Sequence, residues 1–69
     1  MQANTDHDIV KNSESINLKV QQVLDMVIAM GKANIENPVV RKYCNSAINS
    51  LLKVDSTMGF LVAYFEDKG

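Results

Sequence analysis

The chain has 69 residues, one cysteine, one histidine and a formal net charge of −1 at pH 7. A chain this short forms at most one domain and is marginally stable unless disulfides, a metal or a partner add to its core. One cysteine and one histidine exclude an internal disulfide and a four-ligand zinc site. The near-neutral charge implies no strong field that would attract nucleic acid or an anionic membrane. We therefore expect no metal or cofactor, and we expect oligomerisation or a partner protein to supply further stability.

The N-terminal residues 1–15 are polar and slightly acidic, which is not the pattern of a secretory signal peptide. The longest nearly unbroken apolar run, residues 58–65, is far shorter than the roughly 20 residues that cross a bilayer. Together with the single cysteine, these features predict a cytoplasmic protein without a membrane span. Residues 1–13 are expected to be at least partly disordered.

The first predicted helix carries apolar residues at intervals of four and three, a spacing typical of a helix. Thr5 followed by Asp8 favours a start near residue 6. Ser13 and Ser15 are competing N-caps that would place the start near residue 14. Gly31 is expected to end the helix in a left-handed conformation. The stripe consists of Ile16, Val20, Val23, Val27 and Met30, widened by Leu24 and Ile28.

A loop over residues 31–37 separates this helix from a second one. Asn37 and Pro38 are the residue types that helices prefer at the N-cap and at the first helical position. The apolar spacing then continues without a change of phase, which predicts one helix over residues 38–66. A break near Asp55, with a third helix starting at Ser56, is the alternative. The second stripe consists of Val40, Cys44, Ala47, Leu51, Val54, Met58, Leu61 and Phe65.

Two helices joined by a short loop should fold back on each other. The sequence therefore predicts an all-α antiparallel two-helix hairpin over a single domain of residues 1–69, paired into a four-helix bundle. The residues expected in the internal seam of the first helix are Val20, Val23, Leu24 and Val27.

The two ends that meet in this hairpin are unequal, because the end of the second helix is apolar on nearly every side and its neighbour is mostly polar. A contiguous apolar surface of this kind marks an interaction site. The predicted partner or dimer interface is Met58, Phe60, Leu61, Val62 and Phe65. The predicted secondary contacts are Leu18, Met26, Arg41 and Lys42.

No nucleophile elbow, phosphate loop or acid–base pair is present, so the chain is not expected to be an enzyme. His7 lies between two aspartates whose side chains do not converge on a helix, and Cys44 fits the apolar stripe as a small buried hydrophobe.

The predicted function is a self-associating helical adaptor, assembly subunit or chaperone whose partner is a second copy or another helical protein. The alternative is a dimeric regulator that binds nucleic acid through Lys32, Arg41, Lys42 and Lys53.

In outline, the chain resembles the small helical-hairpin subunits and co-chaperones of bacterial type III secretion systems. The shared features are its length, the polar N-terminus, the Asn37-Pro38 start of the second helix and the apolar C-terminal helix. It similarly resembles small enterobacterial helical regulators that dimerise as hairpins. Both resemblances imply an all-α hairpin that binds other proteins, and neither assigns a role to a particular residue.

Overall fold

The protein is an all-α hairpin in a computed structural model that describes residues 5–68, with the backbone alone for residue 68. Helix α1 spans Asp6–Ala33 and helix α2 spans Pro38–Lys68, and the two pack against each other. The predicted hairpin is thus confirmed. Of the segment expected to be disordered, residues 6–13 form the start of α1, and residues 1–4 lie outside the description.

Helix α1 begins at the earlier of the two predicted starts because its first turn is closed by a reciprocal cap. The Thr5 hydroxyl accepts the backbone N–H of Asp8 at 3.2 Å, and the Asp8 carboxylate accepts the backbone N–H of Thr5 at 3.4 Å. These two bonds satisfy N–H groups that have no partner within the helix. Ser13, the rival cap, is instead a buried residue within α1.

The end of α1 differs from the prediction, because the helix continues past Gly31 to Ala33. Among the described residues no glycine has a positive φ, so Gly31 does not form a left-handed cap. Asn34 closes the helix in its place. Its side-chain amide donates to the carbonyl of Met30 at 2.9 Å, and its backbone N–H donates to the carbonyl of Gly31 at 3.3 Å.

Helix α2 begins at the predicted residue, where the Asn37 side-chain oxygen accepts the N–H groups of Val39 and Val40 at 3.1 and 3.2 Å. It then runs unbroken past residue 55, so the alternative third helix does not form. The Thr57 hydroxyl donates to the carbonyl of Lys53 at 2.8 Å. This bond to the preceding turn keeps the hydroxyl within the helix and unavailable as an N-cap.

Two pairs of neighbouring residues, one at each end of the hairpin, indicate the register of the helices. At the loop end, a Cβ built on Gly31 would lie 3.6 Å from the Cβ of Cys44. At the open end, Val10 and Phe65 line the same cleft. In both pairs the two residue numbers add to 75. A residue of α1 and a residue of α2 whose numbers add to about 75 therefore lie at the same level along the hairpin.

The buried residues of the described chain are few: Ser13, Val20 and Leu24 on α1 and Cys44 on α2. They define the seam, the line along which the two helices meet. The expected seam position of Val23 is wrong, because this side chain is 45% exposed. The physical reason is rotation: at about 100° per residue, Val23 is turned roughly 80° from the centre of the seam. Val27 is half-buried.

The hairpin is one helix layer thick. Its extents are 49 × 23 × 15 Å and its radius of gyration is 15.6 Å, whereas a compact protein of this length has a radius of gyration of about 11 Å. Most folded domains bury apolar surface between at least two layers. Much of the apolar surface of a single layer must therefore stay on the outside.

Candidate interaction surface

The predicted C-terminal interface residues do not lie on one side of the hairpin. Phe60 is 77% exposed, whereas Met58, Leu61, Val62 and Phe65 are each half-buried. Residues two apart on a helix point in nearly opposite directions, so Phe60 lies on the outer side of α2 and Val62 points towards α1. Helix α1 thus covers part of the predicted interface.

A row of apolar residues follows one flank of α1. Ile16, Val23 and Met30 are spaced by seven residues, which is close to two helical turns, so they lie nearly in line. All three are exposed, and the row is turned about 80° from the seam. The opposite flank of α1 is mainly polar and charged, with Glu14 and Gln21 exposed.

Helix α2 also has an apolar flank. Tyr43, Val54 and Leu61 fall within about 20° of one another around the helix. Tyr43 and Val54 are exposed and Leu61 is half-buried. The flank on the other side of the seam contains Arg41 and Asn45, both exposed.

The two polar flanks lie on the same side of the hairpin. A groove of about 230 Å³ near the loop is lined by Ile28 and Lys32 of α1 together with Arg41 and Ile48 of α2. These residues come from the flanks opposite to the two apolar rows. It follows that the apolar rows share the other side. We call that side the apolar face, and it consists of Ile16, Val23, Met30, Tyr43, Val54 and Leu61.

The apolar face extends along most of the hairpin. The register places Met30 near the level of Tyr43 at the loop end and Val23 near the level of Val54 in the middle. From Ile16 to Met30 the face is about 21 Å long, at 1.5 Å per residue. Its residues therefore form a continuous strip across both helices.

The four basic residues of the alternative prediction are divided between two surfaces. Lys32 and Arg41 line the groove near the loop. Lys42 and Lys53 lie on the outer side of α2, about 16 Å apart by helical rise. Only two of the four side chains therefore approach one another, and the groove that they flank has an apolar floor that includes Ile28 and Ile48.

The remaining predicted contacts are exposed but lie apart from one another. Leu18 and Met26 are 62% and 69% exposed. Leu18 lies on the outer side of α1, and Met26 borders the apolar face next to the row that contains Met30. Met26 thus extends the apolar face, whereas Leu18 does not.

The two residues considered for chemistry lie at opposite ends of the hairpin. His7 is exposed in the first turn of α1, and it lines the open-end cleft with Glu66. Cys44 is a buried free thiol at the loop end, against Gly31. Within residues 5–68, no three side chains of the metal-binding types come together.

Five exposed residues of the apolar face were not predicted as contacts: Ile16, Val23, Met30, Tyr43 and Val54. A signal for three of them exists in the sequence, because the row on α1 repeats every seven residues. What the spacing does not say is which flank of each helix is covered by the other helix. The predicted seam of α1 merged this row with the buried one.

Over the part of the chain that the structure describes, neither helix is long and apolar enough to cross a membrane. Comparison of the chain with protein-family models, with curated proteins and with solved structures finds no match in any of the three.

Proposed function

We propose that this chain is a non-enzymatic protein–protein interaction module. It acts as a small helical adaptor, assembly subunit or chaperone, and it associates with itself or with another helical protein through its apolar C-terminal helix. The observation that supports this function is the exposed apolar surface of a hairpin only one layer thick.

The balance of burial supports the same proposal. Three apolar side chains of the described residues are buried, whereas twelve large ones are exposed. Burial of apolar surface is the main favourable term in folding and in association, at about 25 cal/mol per Å². When another protein covers the apolar surface that the hairpin leaves in water, the free energy of the system falls, and this favours association.

The first test is the mass of the protein in solution, by light scattering over a hundredfold range of concentration. The proposal predicts a dimer or small oligomer of the 7.7 kDa chain. A well-folded monomer over the whole range would contradict self-association.

A pair of substitutions tests the role of the C-terminal helix. Leu61→Asp places a charge on the apolar flank of α2, and Ala63→Asp places the same charge at an exposed position on the other flank. We expect Leu61→Asp to lower the mass and Ala63→Asp to leave it unchanged, because only the first charge would be buried by association. Equal masses for both variants would count against this helix as the contact, and circular dichroism checks that both stay helical.

A further inference from the structure

The spacing of the apolar face indicates that another helix fits it. On α1 the exposed row of Ile16, Val23 and Met30 alternates with Val20 and Val27 at the seam, so that the whole stripe has intervals of four, three, four and three. This is the a/d spacing along which helices pack in coiled coils and bundles. The stripe consists of Ile16, Val20, Val23, Val27 and Met30.

The corresponding stripe on α2 differs in side-chain size. Between Tyr43 and Val54 it contains Ala47 and Ser50, at intervals of four, three and four. Well-packed cores place large residues opposite small ones. The large residues of α1 therefore suit the small residues of α2 on a second chain, and the face is complementary to itself.

Charge gives a second reason for a second copy. In a two-fold interface the same patch is buried on both chains, so an unpaired charge in that patch would be buried twice. None of the six residues that define the apolar face is charged. The nearest cation, Lys19, is exposed and lies between Met30 and Met26 around α1, at the outer edge of the row.

The hairpin also exposes more surface than a compact protein of its mass. The chain has an accessible surface of 5453 Å², whereas a compact monomer of its mass exposes about 4300 Å². The excess of about 1100 Å² is larger than the roughly 800 Å² that each partner buries in a typical stable interface.

We propose that a second copy of this chain packs on the apolar face, so that two hairpins form a two-layer four-helix bundle. This inference rests on the proposed function and names the partner and the surface. The large residues of α1 in one chain then lie against Ala47 and Ser50 of the other. The polar flanks, with the groove near the loop, remain on the outside of the bundle.

Two positions of α2 provide a matched test. Val54 is 41% exposed on the apolar face, and Leu52 is 47% exposed on the opposite flank. We expect Val54→Asp to raise the dissociation constant of the dimer at least about a hundredfold, because association would bury an unpaired carboxylate on each chain. Leu52→Asp introduces the same charge on the opposite flank, and we expect it to change the constant less than about threefold.

Photo-cross-linking tests the same face in a chain whose fold is not weakened. A benzophenone amino acid replaces Tyr43, which is exposed on the apolar face, or Asn45, which is exposed on the opposite flank. On irradiation, the probe at position 43 should give a covalent dimer on a denaturing gel, with the link in α1 of the other chain. The probe at position 45 should give at least tenfold less.

Each outcome bears on a separate claim. A dimer that tolerates Val54→Asp as well as Leu52→Asp, or that cross-links equally from positions 43 and 45, overturns the assignment of the face and leaves the proposed function standing. A wild-type chain that stays monomeric overturns the four-helix bundle and the self-association in the proposed function, but not association with another helical protein. If the Val54→Asp variant unfolds, the comparison of cross-linking from positions 43 and 45 alone tests whether the apolar face is the dimer interface.

Discussion

Gly31 and Gly59 both lie inside helices, where glycine is less favourable than alanine by about 1 kcal/mol. Their surroundings differ. A Cβ at Gly31 would meet the Cβ of Cys44 at 3.6 Å, which is ordinary contact, whereas a Cβ at Gly59 would meet nothing within 4 Å. Gly31 thus lies against Cys44 of α2 at the loop end, whereas Gly59 faces open space.

This difference predicts opposite effects of the same substitution. Gly31→Leu should lower the free energy of unfolding by about 1–3 kcal/mol, because the extra atoms would push α1 away from Cys44. Gly59→Leu should raise it by up to about 1 kcal/mol, through helix propensity alone. Urea unfolding of the two variants measures both changes, and a shift of the same sign and size would show that the close approach at Gly31 is not present in solution.

At the scale of the helix, the seam of α1 is partly polar. Ser13 is buried, and the side-chain oxygen of Asn17 is buried without a hydrogen-bond donor among the described residues. An unsatisfied buried polar atom lowers stability by about 1–3 kcal/mol. Helix α1 therefore packs on α2 less favourably than an apolar seam would.

We accordingly expect Asn17→Leu to raise the free energy of unfolding by about 1–3 kcal/mol. The side chain keeps its approximate volume, loses the buried polar atom and gains apolar contact near the level of Met58. Gln22→Leu, at an exposed position of the same helix, is the control and should change stability by less than about 0.5 kcal/mol. A loss of stability in Asn17→Leu would mean that the amide has a stabilising partner.

The helices could be predicted from sequence because their signals are local. The Thr5–Asp8 and Asn37–Pro38 caps act within one turn, and the apolar spacing identifies both helices. The seam could not be predicted as well, because α1 has two overlapping apolar stripes. Val23 fits the helical period as well as Leu24 does, and only the position of the other helix decides that Leu24 is buried.

The same limit applies to the candidate site. The sequence shows that residues 58–65 are apolar on nearly every side, but burial depends on where α1 lies. The structure places Phe60 outside and Val62 towards α1, and it brings distant residues such as Met30 and Tyr43 to one level. A surface made from both helices requires the hairpin register, which sequence spacing alone does not contain.

At the scale of the whole molecule, the central feature is a 15 Å thin hairpin with an uncharged apolar face along both helices. A small protein of this kind usually needs a further source of stability. A second hairpin on the apolar face would provide the second layer that most domains have. Folding and assembly should then be linked, so that the stability depends on the concentration of the chain.

The most direct test is the urea midpoint of unfolding, followed by far-ultraviolet circular dichroism over a hundredfold range of protein concentration. If the folded state is a dimer, the midpoint should rise with concentration, and the apparent stability of the dimer should increase by about 2.7 kcal/mol, which is RT ln 100. A cooperative transition with the same midpoint at both ends of the range would show that the hairpin folds alone, and it would contradict an apolar face completed by a second copy.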